Sequence, residues 1–382
     1  MKHSAAWVFP FVTACTLGFM VLHPQDTLDA ALQGFLLWGK VVLPSLFPFL
    51  IAANLLFASG LVNRLEMLLK PIMQPLFHLP GCAALPVFMG FTSGFPVGAI
   101  LTRRLYDEHR IRLAEAEHLL AFTNNSSPLF ILGSIGAGLF HAPALGLLLL
   151  CVHNGSNLLV GLLLRFTHPC PEKQPSLPPA NEPADAASIG ARLSDAIRNA
   201  FSSTTLIAGF IVIFSVLTRM LSVWGIIEEL SRPLSPVLEL LHLPPETAEG
   251  FLRGLFEMTI GCQAAAESAA DSYSQLLLIS LLLAFSGLSI LAQIMSIMAS
   301  VPIRWSRFFL ARGLQMLFSV CLLRIFAPFF LALPVFFSTP LAEPFASFLY
   351  TFDVWTISLL FLLFSLLFLL LVLLCAARKK TS

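Results

Sequence analysis

The sequence predicts an all-α polytopic membrane protein, with about eight transmembrane helices and two re-entrant helical hairpins arranged as an inverted repeat. Three observations lead there. Hydrophobic residues make up 57% of the 382 residues and charged residues 11%, with a mean hydropathy of +0.85. A soluble domain carries about 25% charged residues, so this chain has too little charge to cover a water-facing surface. Apolar runs of spanning length, about 20 residues, recur from end to end. Two of these regions are interrupted by polar and helix-breaking residues at matching places in the two halves.

The candidate spans fall near residues 5–22, 41–63, 119–140, 144–166, 199–221, 276–298, 308–325 and 354–377. Residues 1–30 form an N-terminal membrane anchor helix. Lys2 and the apolar run from Ala5 to Leu22 have the form of a signal peptide. However, the run is long, contains Pro10, and no small-x-small cleavage site follows. Two further stretches, 81–102 and 250–272, are punctuated by Gly or polar residues at their middles and read as re-entrant hairpins. Leu65–Phe77 and Ile226–Leu241 are short and broken by Pro71, Pro75, Pro233 and Pro236, which suits helices lying in the interface. Residues 167–190 hold six prolines among polar side chains and read as a flexible cytoplasmic linker. That linker separates a first repeat, 31–166, from a second, inverted repeat, 191–340, followed by a C-terminal transmembrane helix with a basic tail in 341–382.

The placement of basic residues selects the topology. With both termini cytoplasmic and the hairpins re-entrant, the inner segments carry about 17 Lys and Arg, Arg304, Arg307 and Arg312 among them. The outer segments carry only Lys40, Arg219, Arg232, Arg253 and Arg324. This is the positive-inside asymmetry; hairpins that crossed fully would turn Arg103–Arg112 outward. The halves also share short matches: Leu76-Phe77-His78-Leu79-Pro80 with Leu240-Leu241-His242-Leu243-Pro244, and Leu119-Leu120-Ala121-Phe122 with Leu282-Leu283-Ala284-Phe285. An odd number of crossings per half makes the repeat inverted.

Broken helices at bilayer depth persist only where protein or a wet cavity receives their backbone, and paired breaks point to a transporter-type site. The candidate binding residues are therefore those of the breaks. Asn124, Asn125, Ser126 and Ser127 precede Pro128, which frees a carbonyl one turn earlier. They suit a neutral polar solute or a dehydrated cation, and equally suit bonds between helices. Thr92 and Ser93 with Gly94, and Thr259 with Gln263, are expected at the hairpin tips, where half-helix N-termini attract anions; Gly94 and Gly98 equally suit close packing alone. Glu257 is the carboxylate expected deepest in the membrane. It either couples transport to Na⁺ or H⁺ or caps the neighbouring half-helix. His153, Asn154, Ser156 and Asn157 interrupt another span, as do Gln293 and Ser296. Alternating access at a midplane site formed by Asn124–Ser127 and Glu257 is the expected mechanism.

No Walker A loop, dinucleotide fingerprint, HExxH or GxSxG motif occurs, so no enzyme is expected. The seven cysteines are scattered singly, without metal-ligand spacing. No metal or cofactor is expected beyond a coupling ion. A net charge of +1 argues against nucleic acid. The expected partners are the lipid bilayer and a small polar solute, with a homo-oligomer left open.

The runs Phe88–Ala99 and Leu120–Gly133, with Gly254–Thr259 and the Gln293 region, resemble the YlbJ-type sporulation integral membrane proteins. That family belongs to a wider group with the nucleoside-recognition, or Gate, domain, shared with concentrative nucleoside transporters and bacterial ferrous-iron transporters. The resemblance implies two Gate-like repeats in a multi-pass protein of the bacterial cytoplasmic membrane, linked in endospore formers to spore cortex formation. It implies no substrate. The rival expectation is a non-transporting scaffold or accessory subunit of a sporulation or cell-envelope complex.

Overall fold

In the computed structural model, residues 2–58, 61–167 and 189–337 are described. The predicted span 354–377, the basic tail and most of the predicted linker lie outside them. The described chain is helical, with no strand among the described residues. In order, the helices are α1 (Lys2–Leu22), α2 (Pro24–Leu37), α3 (Leu43–Ala58), α4 (Leu61–Phe77), α5 (Ala84–Thr92), α6 (Val97–Asp107), α7 (Leu113–Phe122), α8 (Pro143–Leu164), α9 (Ile189–Val223), α10 (Ile226–Glu239), α11 (Thr247–Phe256), α12 (Met258–Glu267), α13 (Ser272–Phe285), α14 (Gly287–Ile297) and α15 (Trp305–Phe337).

Among the described residues four stretches are long and apolar enough to cross a membrane: Pro143–Thr167, Gly190–Val223, Ser272–Ile297 and Trp305–Phe330. That is fewer than the sequence count of about eight, for identifiable reasons. The predicted span 119–140 is two pieces, α7 and a π-helical segment Phe130–Leu139, separated by non-helical backbone at 123–127. The predicted span 41–63 yields α3, which runs on without a break from the π-helical turn Trp38–Val42. The proline-bearing α4 and the first hairpin arm meet at a bend of 88°.

The described residues pack as two units, those up to Pro48 with 198–296, and those of 49–197 with 297–337. In the first unit α1 and α2 lie on α9. Phe19, Ala30, Val216 and Met220 form a buried cluster, and Arg219 pairs with Asp26 at 2.6 Å. The Trp38 indole donates to the Thr204 carbonyl at 2.8 Å. α11 and α12 make a tight antiparallel hairpin because its facing residues are small. A Cβ on Gly261 would stand 2.1 Å from the Gly254 Cα, and one on Gly250 3.4 Å from the Ala265 nitrogen. Such small-residue faces let helix backbones touch.

In the second unit α5 and α6 form the other hairpin, turning at 93–96, and α8 packs against α7 and α15. Glu117, 2% exposed as a side chain, receives Arg304 at 2.6 Å and Arg307 at 3.3 Å. The Arg304 backbone N–H also donates to it, at 2.9 Å. Burial alone would raise this carboxyl, but hydrogen bonds and charge from Arg304, with Arg307 behind it, hold it below the ordinary glutamate value of 4.5. α4 and α10 end alike: His78 and His242 are both left-handed, with φ of 53° and 61°. The Leu79 and Leu243 amides then bond back to the Met73 and Leu238 carbonyls, and both leucines are buried. The repeated His-Leu-Pro thus follows a helix end twice, each time through a left-handed histidine.

Two outcomes follow. Gly261→Ala drives a Cβ into backbone and should lower the melting temperature sharply, by an overpacking cost of about 1–3 kcal/mol or more. Gly209→Ala, with nothing within 4 Å of the added atom, should leave melting unchanged. Because the Glu117 carboxyl is held low when folded, its stabilisation is complete above its unfolded value and fades as pH falls through the folded one. Melting of the native protein should therefore lose ground to that of Glu117→Gln as pH drops below about 5, converging in the acid.

Candidate functional site

A helix end leaves its last four carbonyls without intrahelical partners, and α7 stops at Phe122 in buried surroundings. Each of its four terminal carbonyls nevertheless has a donor. Leu119 O accepts from the Thr123 amide at 3.0 Å and its hydroxyl at 2.7 Å. Leu120 O accepts from the Asn124 amide Nδ2 at 2.8 Å, and Phe122 O from Asn125 Nδ2 at 3.2 Å. Ala121 O accepts from Arg312 of α15. Beyond the break, Ser127 Oγ accepts from the Phe130 amide at 3.2 Å and starts the π-helical segment.

The α5–α6 hairpin grips this break. Cβ atoms on Gly90 and Gly98 would stand 2.0 and 2.3 Å from the Thr123 carbonyl oxygen, and one on Gly94 2.8 Å from Ser127 Cβ. Gly94 also has a φ of +97°, a conformation side chains rarely adopt. With no side chains between them, hairpin and break touch backbone to backbone. The Ala99 amide, near the start of α6, donates to Asn124 Oδ1 at 3.0 Å. The α6 N-terminus, expected from sequence to hold an anion, is therefore occupied by the chain's own amide oxygen.

The first unit contains the same device in other chemistry. α13 ends in two left-handed residues, Ser286 (φ 79°) and Gly287 (φ 76°), with the Ser286 amide donating to Leu282 O at 2.8 Å. A Cβ on Gly287 would approach Gly254 O and the Met258 nitrogen, both at 3.1 Å, so the tip of the α11–α12 hairpin sits on this break. Glu257 lies at the tip, 3% exposed. Its Oε2 accepts from the Ile260 amide at 2.8 Å and caps α12. The half-helix N-terminus here is again filled from within the chain.

Among the other expected residues, Ser93 is fully buried at the first tip, and its hydroxyl has no partner. Thr92 is half-buried and donates to Phe88 O at 2.9 Å. Thr259 follows Glu257 in the first turn of α12. Gln263 is not at a tip: it lies exposed further along the α12 arm and donates to Glu267 at 2.9 Å. Asn124, Asn125, Ser126 and Ser127 are all buried, and the Asn125 carboxamide oxygen is buried without a hydrogen-bond partner. Such a buried orphan acceptor costs about 1–3 kcal/mol.

The sequence counts Arg312 among the positive charges of the inner segments. It is instead 2% exposed, inside the span Trp305–Phe330, because the carbonyl end of α7 needs a donor there. Gln315, one turn on, was not singled out and is fully buried. The available signal was an ionisable side chain inside an apolar run, the criterion applied to Glu257. No group of three or more His, Cys, Asp or Glu that could hold a metal occurs among the described residues.

The nucleoside-recognition family, Gate, matches residues 40–150 and 204–301. Each matched segment contains one hairpin and the broken helix it grips. Over 322 residues the chain is 37% identical to the sporulation integral membrane protein YlbJ of Bacillus subtilis (strain 168), covering 80% of this chain and 78% of that protein. The chain belongs to the YlbJ family. No solved structure matches it. Membership makes this an integral membrane protein, in line with its apolar helices.

Asn124→Ala removes partners from both the Ala99 amide and the Leu120 carbonyl in this family member. At about 1–3 kcal/mol per buried orphan, the variant should unfold well below the parent in a detergent melting series. An unchanged midpoint would contradict the capping role.

Proposed function

We propose that this YlbJ-family protein is a secondary transporter for a small polar solute, working in spore formation in the bacterial cytoplasmic membrane. Both termini are cytoplasmic in this reading, and the two hairpin-bearing halves form an inverted repeat. The observation that carries it is a helical hairpin clasping a broken helix, found once in each unit and within each matched segment. Backbone groups at such breaks are held by side chains, and side-chain bonds can be exchanged for bonds to a solute without unwinding a helix. The partnerless Asn125 oxygen supplies one acceptor for that exchange. Thr92, Ser93 and Asn124–Ser127 in one unit, and Glu257, Thr259 and Gln263 in the other, remain the proposed solute contacts, each set taken within its own unit, with Na⁺ or H⁺ coupling at Glu257.

Glu257→Gln tests the charge separately from the cap, because the glutamine oxygen still accepts from the Ile260 amide. The variant should reach the membrane at normal levels and melt normally. It should also lose solute-dependent activity and the thermal stabilisation that the parent shows in a screen of polar solutes. Full activity would overturn the coupling role. A stoichiometric co-purifying partner, with no solute shifting the melt of either protein, would overturn transport in favour of a scaffold.

A further inference from the structure

The polar groups behind the α7 break come from outside both matched segments, which end at residues 150 and 301. On α8, His153 and Asn157 lie one turn apart on one face; on α15, Arg312 and Gln315 do the same. All four are at most 2% exposed. The Arg312 guanidinium reaches Ala121 O, Asn124 O at 3.4 Å and Asn157 Oδ1 at 3.2 Å, with Phe308 5.5 Å from its centre. His153 Nε2 accepts from the Ser126 amide at 3.0 Å.

We propose that Arg312 is the positioning residue that keeps 123–127 in its non-helical form, with His153 as its opposite number. A helix cut in a dry environment exposes carbonyls on one side and amides on the other. Here a buried cation takes the carbonyls, where the helix dipole is negative, and an imidazole nitrogen takes an amide. A planar fork of five N–H donors reaches several oxygens at once, which an ammonium cannot do with the same geometry. Because Nε2 accepts, a neutral His153 carries its proton on Nδ1, facing Gln315. Gln315 Nε2 lies 3.4 Å from Nδ1 while Gln315 Oε1 is without a partner. Turning that amide about its last bond gives Oε1 the Nδ1 proton and satisfies both groups.

The consequence concerns Asn125. With Ala121 O and Asn124 O held on one side and the Ser126 amide on the other, its backbone has nowhere to move. Its Nδ2 is committed to Phe122 O, so its Oδ1 presents one fixed acceptor direction. Arg312 therefore sets the geometry of the proposed solute contact without touching the solute. In this consequence, though not in the clamp itself, the inference rests on the transporter reading.

Hydrogen exchange on the full chain in lipid nanodiscs tests the clamp without any solute. Arg312→Met should accelerate exchange of amides in 119–128 at least tenfold while the α11–α12 hairpin keeps its parental rates. Arg312→Lys should restore part of the protection. His153→Phe, similar in size but lacking the acceptor, should accelerate exchange at Ser126 and provides the test if Arg312→Met does not accumulate. Unchanged protection in 119–128, or a uniform acceleration of every helix, would overturn the proposal. Local acceleration supports the clamp even where Glu257→Gln retains full activity, the separate result that overturns coupling.

Discussion

An interrupted helix surrounded by apolar side chains leaves carbonyls at one end and amides at the other that water does not reach. Each such group left bare costs several kcal/mol in hydrocarbon. At the α7 break the demand is met group by group: Thr123, Asn124 and Asn125 turn back onto the helix they terminate, Arg312 arrives from α15, and His153 from α8. The surrounding helices are placed by these bonds as much as by apolar packing. A cation or imidazole buried in a span is tolerated only where its hydrogen bonds are filled.

Glycine allows the hairpins to take part. Gly90 and Gly98 admit the Thr123 carbonyl to distances at which no Cβ could fit. Gly254 and Gly261 do the same between the arms of the second hairpin. Close backbone approach brings the start of α6 within reach of a side chain as short as Asn124. In the other unit the corresponding amide, at the start of α12, is taken by the longer Glu257 from its own chain position. The same geometric problem has a neutral solution in one unit and a carboxylate solution in the other.

These arrangements bear on function through what they leave unused. Most polar groups at the breaks are consumed by caps, so a run of Asn and Ser is not by itself a binding site. At Asn124–Ser127 the caps leave the Asn125 oxygen as a buried acceptor. A solute that bonds there meets a fixed acceptor rather than a flexible side chain, which reduces the ordering cost of binding. The family match falls in two segments that each enclose a hairpin and its break.

Composition determined that the chain is helical and lives in a membrane, because so few charges cannot cover a soluble surface. Gly, Pro and short polar clusters inside apolar runs located the α7 break and both hairpins, since only those residues stop a helix where nothing else would. The repeated His-Leu-Pro marked a match between the two halves, and both copies carry a left-handed histidine. Partner choice was not legible. Whether Asn124 faces a solute or the α6 N-terminus, whether Gln263 sits at a tip or on an exposed arm, and whether Arg312 is a surface charge or a buried cap all depend on which helix lies alongside. Sequence spacing reports the face of one helix, whereas hydrogen-bond satisfaction in a dry interior is decided between helices, and only the tertiary structure brings those faces together.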